Sequence, residues 1–559
     1  MLRNRMLFAV TLITLAGSLL RFFQLDSLPP GLHYDVAANA ILVEEIAFHG
    51  QRPLFIEAYA GKEVLFFYFA ALLFRLIGSS VFALRLAAAL WGLLAVPATF
   101  FAVRQVFRHE EKVNWMASLC SILLAFSFMH LVWSRFGLRA ITQPVIQALA
   151  LGFLFRGLRR SRLTDFALAG LFTGLSAYTY LAARAFPIPI AISIATFTIA
   201  YYRQHRKVSA NKFRSPFPAT GLTLFILTSL IILIPLILFF VEHPQIFLAR
   251  ISQIAVREGE SALLWRSITG ALGMLFISGE PYERFNVPGK PIFDPVLGAL
   301  FMLGLGVTVQ RLIQSRASTP GLQPVTLAAE VMLLSWVPIF LLPTALALHD
   351  VFPSNVRAFG LLPLVFVYPA RGLLKLSAWS REKRNIQHVL RIGHSLVGKP
   401  VILFILLASI TFLHTSYIYF HVWANQDTQH IANDGDLTHA AEYLNSLDLR
   451  NVSVYMSAIH YRHPTVAYLA EDYNRIRWLT GAASLAVPAE GAALYVFPQS
   501  ALPPDEWLRF WGTAVQARPS DPNGKVDYYV YHFDSNSEPP LHDFTTAHAT
   551  FNHMVEITG

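Results

Sequence analysis

The sequence predicts a polytopic α-helical membrane protein of about eleven transmembrane helices, with interfacial helices in its first outer loop and a small α/β extracytoplasmic domain after them. Three observations predict it. Of 559 residues, 55% are hydrophobic and 14% charged, where soluble domains carry about 25% charged residues. Mean hydropathy is +0.48, and several apolar runs reach the ~18–20 residues that cross a bilayer as helix. Third, the chain changes character near residue 425. Residues 425–559 hold 16 acidic and seven basic side chains, a net of −9, while the remainder holds 18 acidic and 37 basic, a net of +19.

The first span opens Met-Leu-Arg-Asn-Arg and runs apolar to Leu20. No small-x-small site precedes Arg21, so it reads as an uncleaved span with Arg3 and Arg5 inside. Further runs occupy about 82–103, 115–133, 139–155, 164–181, 185–202, 220–241, 293–310, 325–347, 357–374 and 400–420. The segment 64–77, VLFFYFAALLFRLI, is short for a span and carries Arg75. Leaving it outside puts Arg104, Arg108 and Lys112, then Arg156, Arg159, Arg160 and Arg162, in inside loops. It does the same for Arg203, Arg206, Lys207, Lys212 and Arg214, for Arg311 and Arg316, and for the basic stretch 371–399. One more crossing would turn nearly all of these outward, against the positive-inside bias. The N-terminus is therefore expected inside and the C-terminus outside, with long outer segments at 23–81 and 242–292.

The membrane domain is expected over 1–424 and the soluble domain over 425–559. In the latter, 436–447 and DEWLRFWG (505–512) read as helices, and 450–458, 491–499 and 525–533 as strands, an alternation that suggests a small α/β fold. The final ATFNHMVEITG reads as the start of a further strand, on which the domain either ends or is cut short.

Several function classes drop out. The basic excess sits in short loops between apolar runs and no groove-reading motif accompanies it, so no nucleic acid is expected as partner. Cys120 is the sole cysteine; an intrachain disulfide and a cysteine-based zinc site are excluded. There is no P-loop, GxSxG or HExxH. His460 and His463, in HYRHP, read as surface residues of the tail.

The residues able to carry chemistry lie in the outer segments. Asp35 follows Pro-Pro-Gly and is expected to start an amphipathic helix, Val36 to His49. Its carboxylate suits an N-cap, and equally a general base kept ionised by the helix N-terminus. Lys62 and Glu63 sit at the mouth of the interfacial helix, where a snorkelling lysine and a surface glutamate are the plain account. Arg85 lies near the outer end of span two with no acidic neighbour in sequence; at membrane depth it costs several kcal/mol unless paired or near water. Arg135, Arg139, Arg184 and Arg357 also fall outside, against the inside bias. An anionic ligand explains them economically, since arginine forks suit phosphate oxygens; interfacial snorkelling explains at least part of the set. The loop ISGEPYERFNVPGKPIFDP (277–295) alternates aromatic and polar residues, as headgroup- or carbohydrate-contacting loops do.

In order along the chain stand LPPGLHYDVAANAI, GKEVLFFYFAALLFRLIGSSVFALRL, SRFGLRA, AYTYLAARAFP, FNVPGKPIFDP and VRAFGLLP. Over about residues 15–375 this order resembles the GT-C superfamily of membrane glycosyltransferases, in the branch of protein O-mannosyltransferases and lipid A aminoarabinose transferases. The resemblance implies inverting transfer from a polyprenyl-phosphate sugar donor at the outer membrane surface. It implies Asp35 as catalytic base, with His33 and Tyr34 supporting the substrate site. Arg85 matches the family's Gly-x6-Arg-Leu position and is the first choice for the donor phosphate; Lys62 and Glu63 match a charged pair near the site. Arg139, Arg184 and Arg357 carry over more weakly. The protein O-mannosyl branch has an Asp-Glu pair in this loop, and here Val36 follows Asp35. That departure favours a lipid or cell-envelope glycan as acceptor over a protein. The expected partners are the lipid-linked donor, that acceptor and membrane lipids; the chemistry requires no metal, and no compact ligand cluster is evident. A flippase for lipid-linked glycans and a glycan-binding receptor are the competing classes; no internal repeat of the transporter kind is visible.

Overall fold

A computed structural model describes residues 2–59, 61–206, 217–247, 261–317, 322–347, 349–383, 400–480, 486, 491–505, 516–519, 525–533, 548–551 and 555–558. The chain falls into two compact units: Met1–Pro29 with Asn39–Gln429, and Pro30–Ala38 with His430–Gly559.

The first unit is helical. Its rods are α1 (Leu2–Phe22), α2 (Tyr34–Ala47, whose first turn belongs to the second unit), α3 (Leu65–Ile77), α4 (Val81–Val106), α5 (Val113–Ala125), α6 (Phe128–Trp133), α7 (Gln143–Arg160), α8 (Leu163–Ser176), α9 (Pro187–Arg206) and α10 (Ala219–Glu242). They continue with α11 (Ser261–Gly273), α12 (Pro295–Ala317), α13 (Pro324–Ala345), α14 (Val367–Lys383) and α15 (Pro400–Tyr417). Each apolar run of the sequence carries helix. Among the described residues seven helices are long and apolar enough to cross a bilayer, which makes the chain a multi-pass membrane protein. The run 357–374 is broken: 3-10 turns at Phe359–Leu361 and Leu364–Phe366 precede α14, on either side of Pro363, which has no N–H to offer a helix. Helix α3 has 13 residues, about 20 Å at 1.5 Å per residue.

Helix pairs close on small residues. A Cβ on Gly304 of α12 would collide with the Tyr368 carbonyl of α14, and one on Gly372 of α14 with the Leu300 carbonyl of α12. Gly170 and Gly174 of α8 admit α10 in the same way, and Ser229 Oγ donates to the Gly170 carbonyl at 3.1 Å. Such small-x-x-x-small contacts let helices approach closely where lipid supplies no hydrophobic drive between them.

The second unit is a mixed sheet with helices. After α16 (Asp427–Ala432) and α17 (Gly435–Asn445) come β3 (Val452–Ala458), α18 (Pro464–Leu469), β4 (Ile476–Thr480), β5 (Ala492–Pro498), β6 (Gln516–Pro519) and β7 (Val526–Phe533). A short hairpin in the first unit, Phe55–Ile56 with Lys62–Glu63, supplies β1 and β2. The sheet order is β4-β3-β5-β7-β6, with β3 parallel to β4 and β5, and β7 antiparallel to β5 and β6. Alternation sorts its faces: Val454, Met456, Leu494, Val496 and Val530 pack with Leu437, Ala440 and Leu444 of α17, while Tyr455, Tyr495, Phe497 and Tyr531 cluster on the other face. A final hairpin pairs β8 (His548–Phe551) with β9 (Val555–Thr558). The expected strands at 450–458, 491–499 and 525–533 and the helix at 436–447 are present; β4 and β6 were not expected. The expected helix 505–512 lies outside the described residues apart from Asp505.

Candidate active site

Pro30–Ala38 is built into the second unit. Leu32 N–H donates to Thr438 Oγ1 at 2.9 Å, Thr465 Oγ1 donates to the Leu32 carbonyl at 2.6 Å, and Tyr34 N–H donates to Asp434 Oδ2 at 2.6 Å. The Tyr34 ring stands edge-on to His460 at 5.2 Å and His463 at 5.1 Å. Gly31 holds φ +72°, and a Cβ there would collide with the Asn433 carbonyl and the Gly435 backbone. His463 is therefore buried rather than a surface residue: the incoming segment covers it, and burial holds its pKa down at about 4.

Helix α2 starts two residues earlier than expected, at Tyr34. Asp35 thus lies inside the first turn and is not the N-cap. His33 takes that part: its Nδ1 accepts the Asp35 N–H at 3.0 Å, and sits 3.9 Å from Asp35 Oδ2. The Asp35 side chain is 51% exposed, a carboxylate in water at a helix N-terminus.

One turn along the same helix, Asn39 begins the polar network of the first unit. Its Oδ1 accepts from Lys62 Nζ at 2.6 Å and its Nδ2 donates to the Gly137 carbonyl at 3.2 Å. Lys62 and Glu63 are buried, not placed at a wet surface, because the β1–β2 hairpin turns them inward with Lys62 opposite Ile56 and Glu63 opposite Phe55. Glu63 Oε2 accepts from Arg139 Nε at 2.7 Å. The Arg139 guanidinium also reaches the Gly61 carbonyl at 3.3 Å and lies over the Tyr180 ring. Arg184 is half-buried over the rings of Phe240 and Phe247, within reach of the Glu63 charge. Its Nη1 is buried and makes no hydrogen bond among the described residues. The structure therefore gathers Arg139 and Arg184 at Glu63, while Lys62, the neighbouring residue of β2, is held by Asn39.

Arg85 and Arg357 do not join this group. Arg85 is 3% exposed and donates to the carbonyls of Leu25, Asp26 and Pro29 at 3.2, 2.8 and 2.7 Å. These three hydrogen bonds shape the chain after α1. Arg357 pairs with Asp350 and donates to the Val351 carbonyl, so that its charge closes its own loop. In the loop between α11 and α12, Glu280 is 1% exposed. Its Oε2 accepts the Asn355 N–H at 2.9 Å, and burial pushes its pKa up to about 8, against the pull of that bond and of Arg357 and Arg284. Asn39 and Glu280 escaped the sequence reading. An asparagine on the apolar face of α2, four residues after Asp35, was the available signal for the first; the second has none, because its partner lies 75 residues away.

The helical first unit and its charged cluster together describe a multi-pass membrane protein with a buried ion pair beside its first hairpin. Residues 62–239 match the family model described as dolichyl-phosphate-mannose-protein mannosyltransferase, and the chain carries a domain of that family there. Over its length it is similar to two crystal structures of ArnT from Cupriavidus metallidurans, one bound to undecaprenyl phosphate and one in the apo state. In each case identity is 14% and the TM-score 0.52, with 94% of this chain and 97% of that chain covered. At that identity the likeness is one of fold. No curated protein matches the sequence. The GT-C resemblance read from the motifs is borne out.

Proposed function

We propose that the protein is an inverting glycosyltransferase that takes its sugar from a polyprenyl-phosphate donor and passes it to a lipid or cell-envelope glycan at the outer face of the cytoplasmic membrane. The observation that carries this reading is the charged group at the first hairpin, Arg139 and Arg184 at Glu63 with Lys62 beside it on Asn39: three cations to one carboxylate, in a fold shared with a protein crystallised with undecaprenyl phosphate. Asp35 is the base. It removes the proton of the acceptor hydroxyl as that oxygen bonds to the anomeric carbon from the face opposite the leaving group. The bond between the anomeric carbon and the phosphate oxygen breaks, and the lipid phosphate departs with the electron pair. Lys62, Arg139 and Arg184 meet the charge that develops on that oxygen, an effect that counts most away from bulk water. His33 fixes the first turn of α2, Tyr34 supports the same turn through its N–H, and Glu63 orients Arg139. Arg85 serves as a positioning residue for the first outer loop.

The family model's own description favours a second reading, a protein acceptor; Val36 in place of an acidic neighbour of Asp35 speaks against it. Transfer of labelled sugar from polyprenyl-phosphate donors in proteoliposomes tests the proposal. Asp35→Asn is expected to cut the rate about 10²–10⁴-fold, the usual contribution of a positioned base. A wild-type rate in the variant sinks the assignment of Asp35. Absence of transfer by the wild type across a broad donor and acceptor panel sinks the enzyme and favours the flippase.

A further inference from the structure

We infer that the second unit holds a divalent transition-metal ion, of the zinc class, on His430, His439 and Asp527. Three elements far apart in sequence bring these residues together: α16 supplies His430, α17 supplies His439 and β7 supplies Asp527. One ligand atom from each lies within 4.8 Å of the others. Two imidazoles and a carboxylate form the three-ligand set of open zinc sites, which leave a fourth position for water. The His430 and His439 side chains are 21% and 26% exposed, while Asp527 is fully buried. Asp527 contacts both rings, through Oδ1 to His430 Nε2 at 2.8 Å and through Oδ2 to His439 Nδ1.

Two details separate this cluster from a plain hydrogen-bonded triad. His430 Nε2 and Asp527 Oδ1 are both buried and, despite their 2.8 Å approach, neither makes an aligned hydrogen bond among the described residues. Donor atoms around a tetrahedral ion at ~2.0–2.1 Å are held ~3.3 Å apart without pointing at one another; an ion would widen this 2.8 Å approach and replace the hydrogen bond of His439 Nδ1 to Asp527 Oδ2. Gly435 is the second detail: a Cβ there would collide with the His430 ring, so the backbone is hollowed to seat that imidazole. Asp436, beside it, is already occupied by the N–H groups of Leu437 and Ser500. The other cluster of comparable spacing, His109, Glu110 and Glu330, is unlike it. There Arg311 holds Glu110, and Arg371 grips Glu330 bidentately at 2.6 and 2.7 Å, leaving the carboxylates neutralised. This corrects the expectation that the chain has no compact ligand cluster; positions 430, 439 and 527 show no motif spacing because the sheet, not the local chain, assembles them.

The test uses the purified full-length protein in detergent, stripped with chelator and titrated with Co²⁺, then with Zn²⁺ against a chromophoric chelator. The wild type is expected to bind one equivalent of Co²⁺ with visible d–d bands that Zn²⁺ displaces. Asp527→Asn and the double variant His430→Gln/His439→Gln are expected to weaken binding at least ~100-fold, and Gly435→Ala, which keeps all three ligands, about 10-fold, as for a disturbed supporting shell. His109→Gln serves as the control and leaves the titration unchanged. A wild type that binds neither ion more tightly than the double variant overturns the site, and this comparison needs no assumption about activity. Far-ultraviolet circular dichroism of each variant separates lost ligands from a lost fold: if Asp527→Asn unfolds, the wild-type Co²⁺ spectrum decides alone, and an octahedral, water-like spectrum counts against the site.

Discussion

Arg135 donates from one guanidinium to the carbonyls of Leu20, Arg21, Phe23, Gln24 and Leu28 and to the Tyr419 hydroxyl, and it is fully buried. Four of those carbonyls fall at the C-terminal end of α1 and just after it, where helices leave acceptors without partners. A cation there also faces the negative end of the helix dipole. Its position among outer cations is readable in the sequence; its duty is not, since its partners lie more than 100 residues away. The same holds for Arg85, whose carbonyl partners lie 56–60 residues away. Arg135→Lys keeps the charge but loses the fork. With a buried orphan acceptor costing ~1–3 kcal/mol, the variant is expected to lose roughly 2–5 kcal/mol, read as a lower melting temperature in detergent. A melting temperature within a degree of wild type would mean the fork is dispensable. Glu63→Gln, by contrast, frees Arg139 without touching this hub, which makes the two variants a clean pair for separating stability from transfer.

Among elements, the apolar runs and the three central strands of the tail were legible because their periodicity is long and strong. The strands β4 and β6 stand at the two edges of the sheet, and edges are kept short and polar; IRWLT and QARP carry an arginine each and no clean alternation. The docking of 30–38 was illegible for another reason, since its partners at 434–465 belong to a region whose fold the membrane motifs do not foretell. That docking has a pH signature. His463 is 3% exposed and its pKa is held at about 4 by burial and by His460 beside it, although Asp434 Oδ2 at 3.8 Å pulls the other way. Unfolded, the imidazole titrates near 6.5. Between pH 6.5 and 4 the unfolded chain binds the proton that the folded one refuses. Stability is therefore lost as pH falls through this window and none of the term remains below it. The size is of order 3 kcal/mol. His463→Gln should flatten the fall in melting temperature from pH 7 to 4; an unchanged slope would remove His463 as its source.

For the whole molecule, charge is the informative scale. The chain up to residue 424 carries +19 and the rest −9, a division that matches loops held inside against a domain exported outward. Everything proposed about the site depends on which way the outer segments face, and that turns on α3. Its 13 residues cover about 20 Å, short of a hydrocarbon core of about 30 Å, and Arg75 near its end donates to the Ala47 carbonyl at 2.6 Å. Lying on the outer side, α3 leaves Asp35, Lys62 and Ser79 on one side of the bilayer; crossing, it would separate Lys62 from Ser79. Ser79 is exposed, one residue before the cap of α4, and Cys120 is fully buried in α5. A Ser79→Cys variant in a Cys120→Ser background is therefore expected to react with an impermeant maleimide in intact cells. The extent should equal that reached after permeabilisation. Labelling only after permeabilisation would make α3 a true span, reverse every later loop, and place the basic clusters at Arg104–Lys112 and Arg156–Arg162 outside. The positive-inside bias argues against that reversal, because 55% hydrophobic residues and few acids leave those short basic loops as the main determinant of orientation.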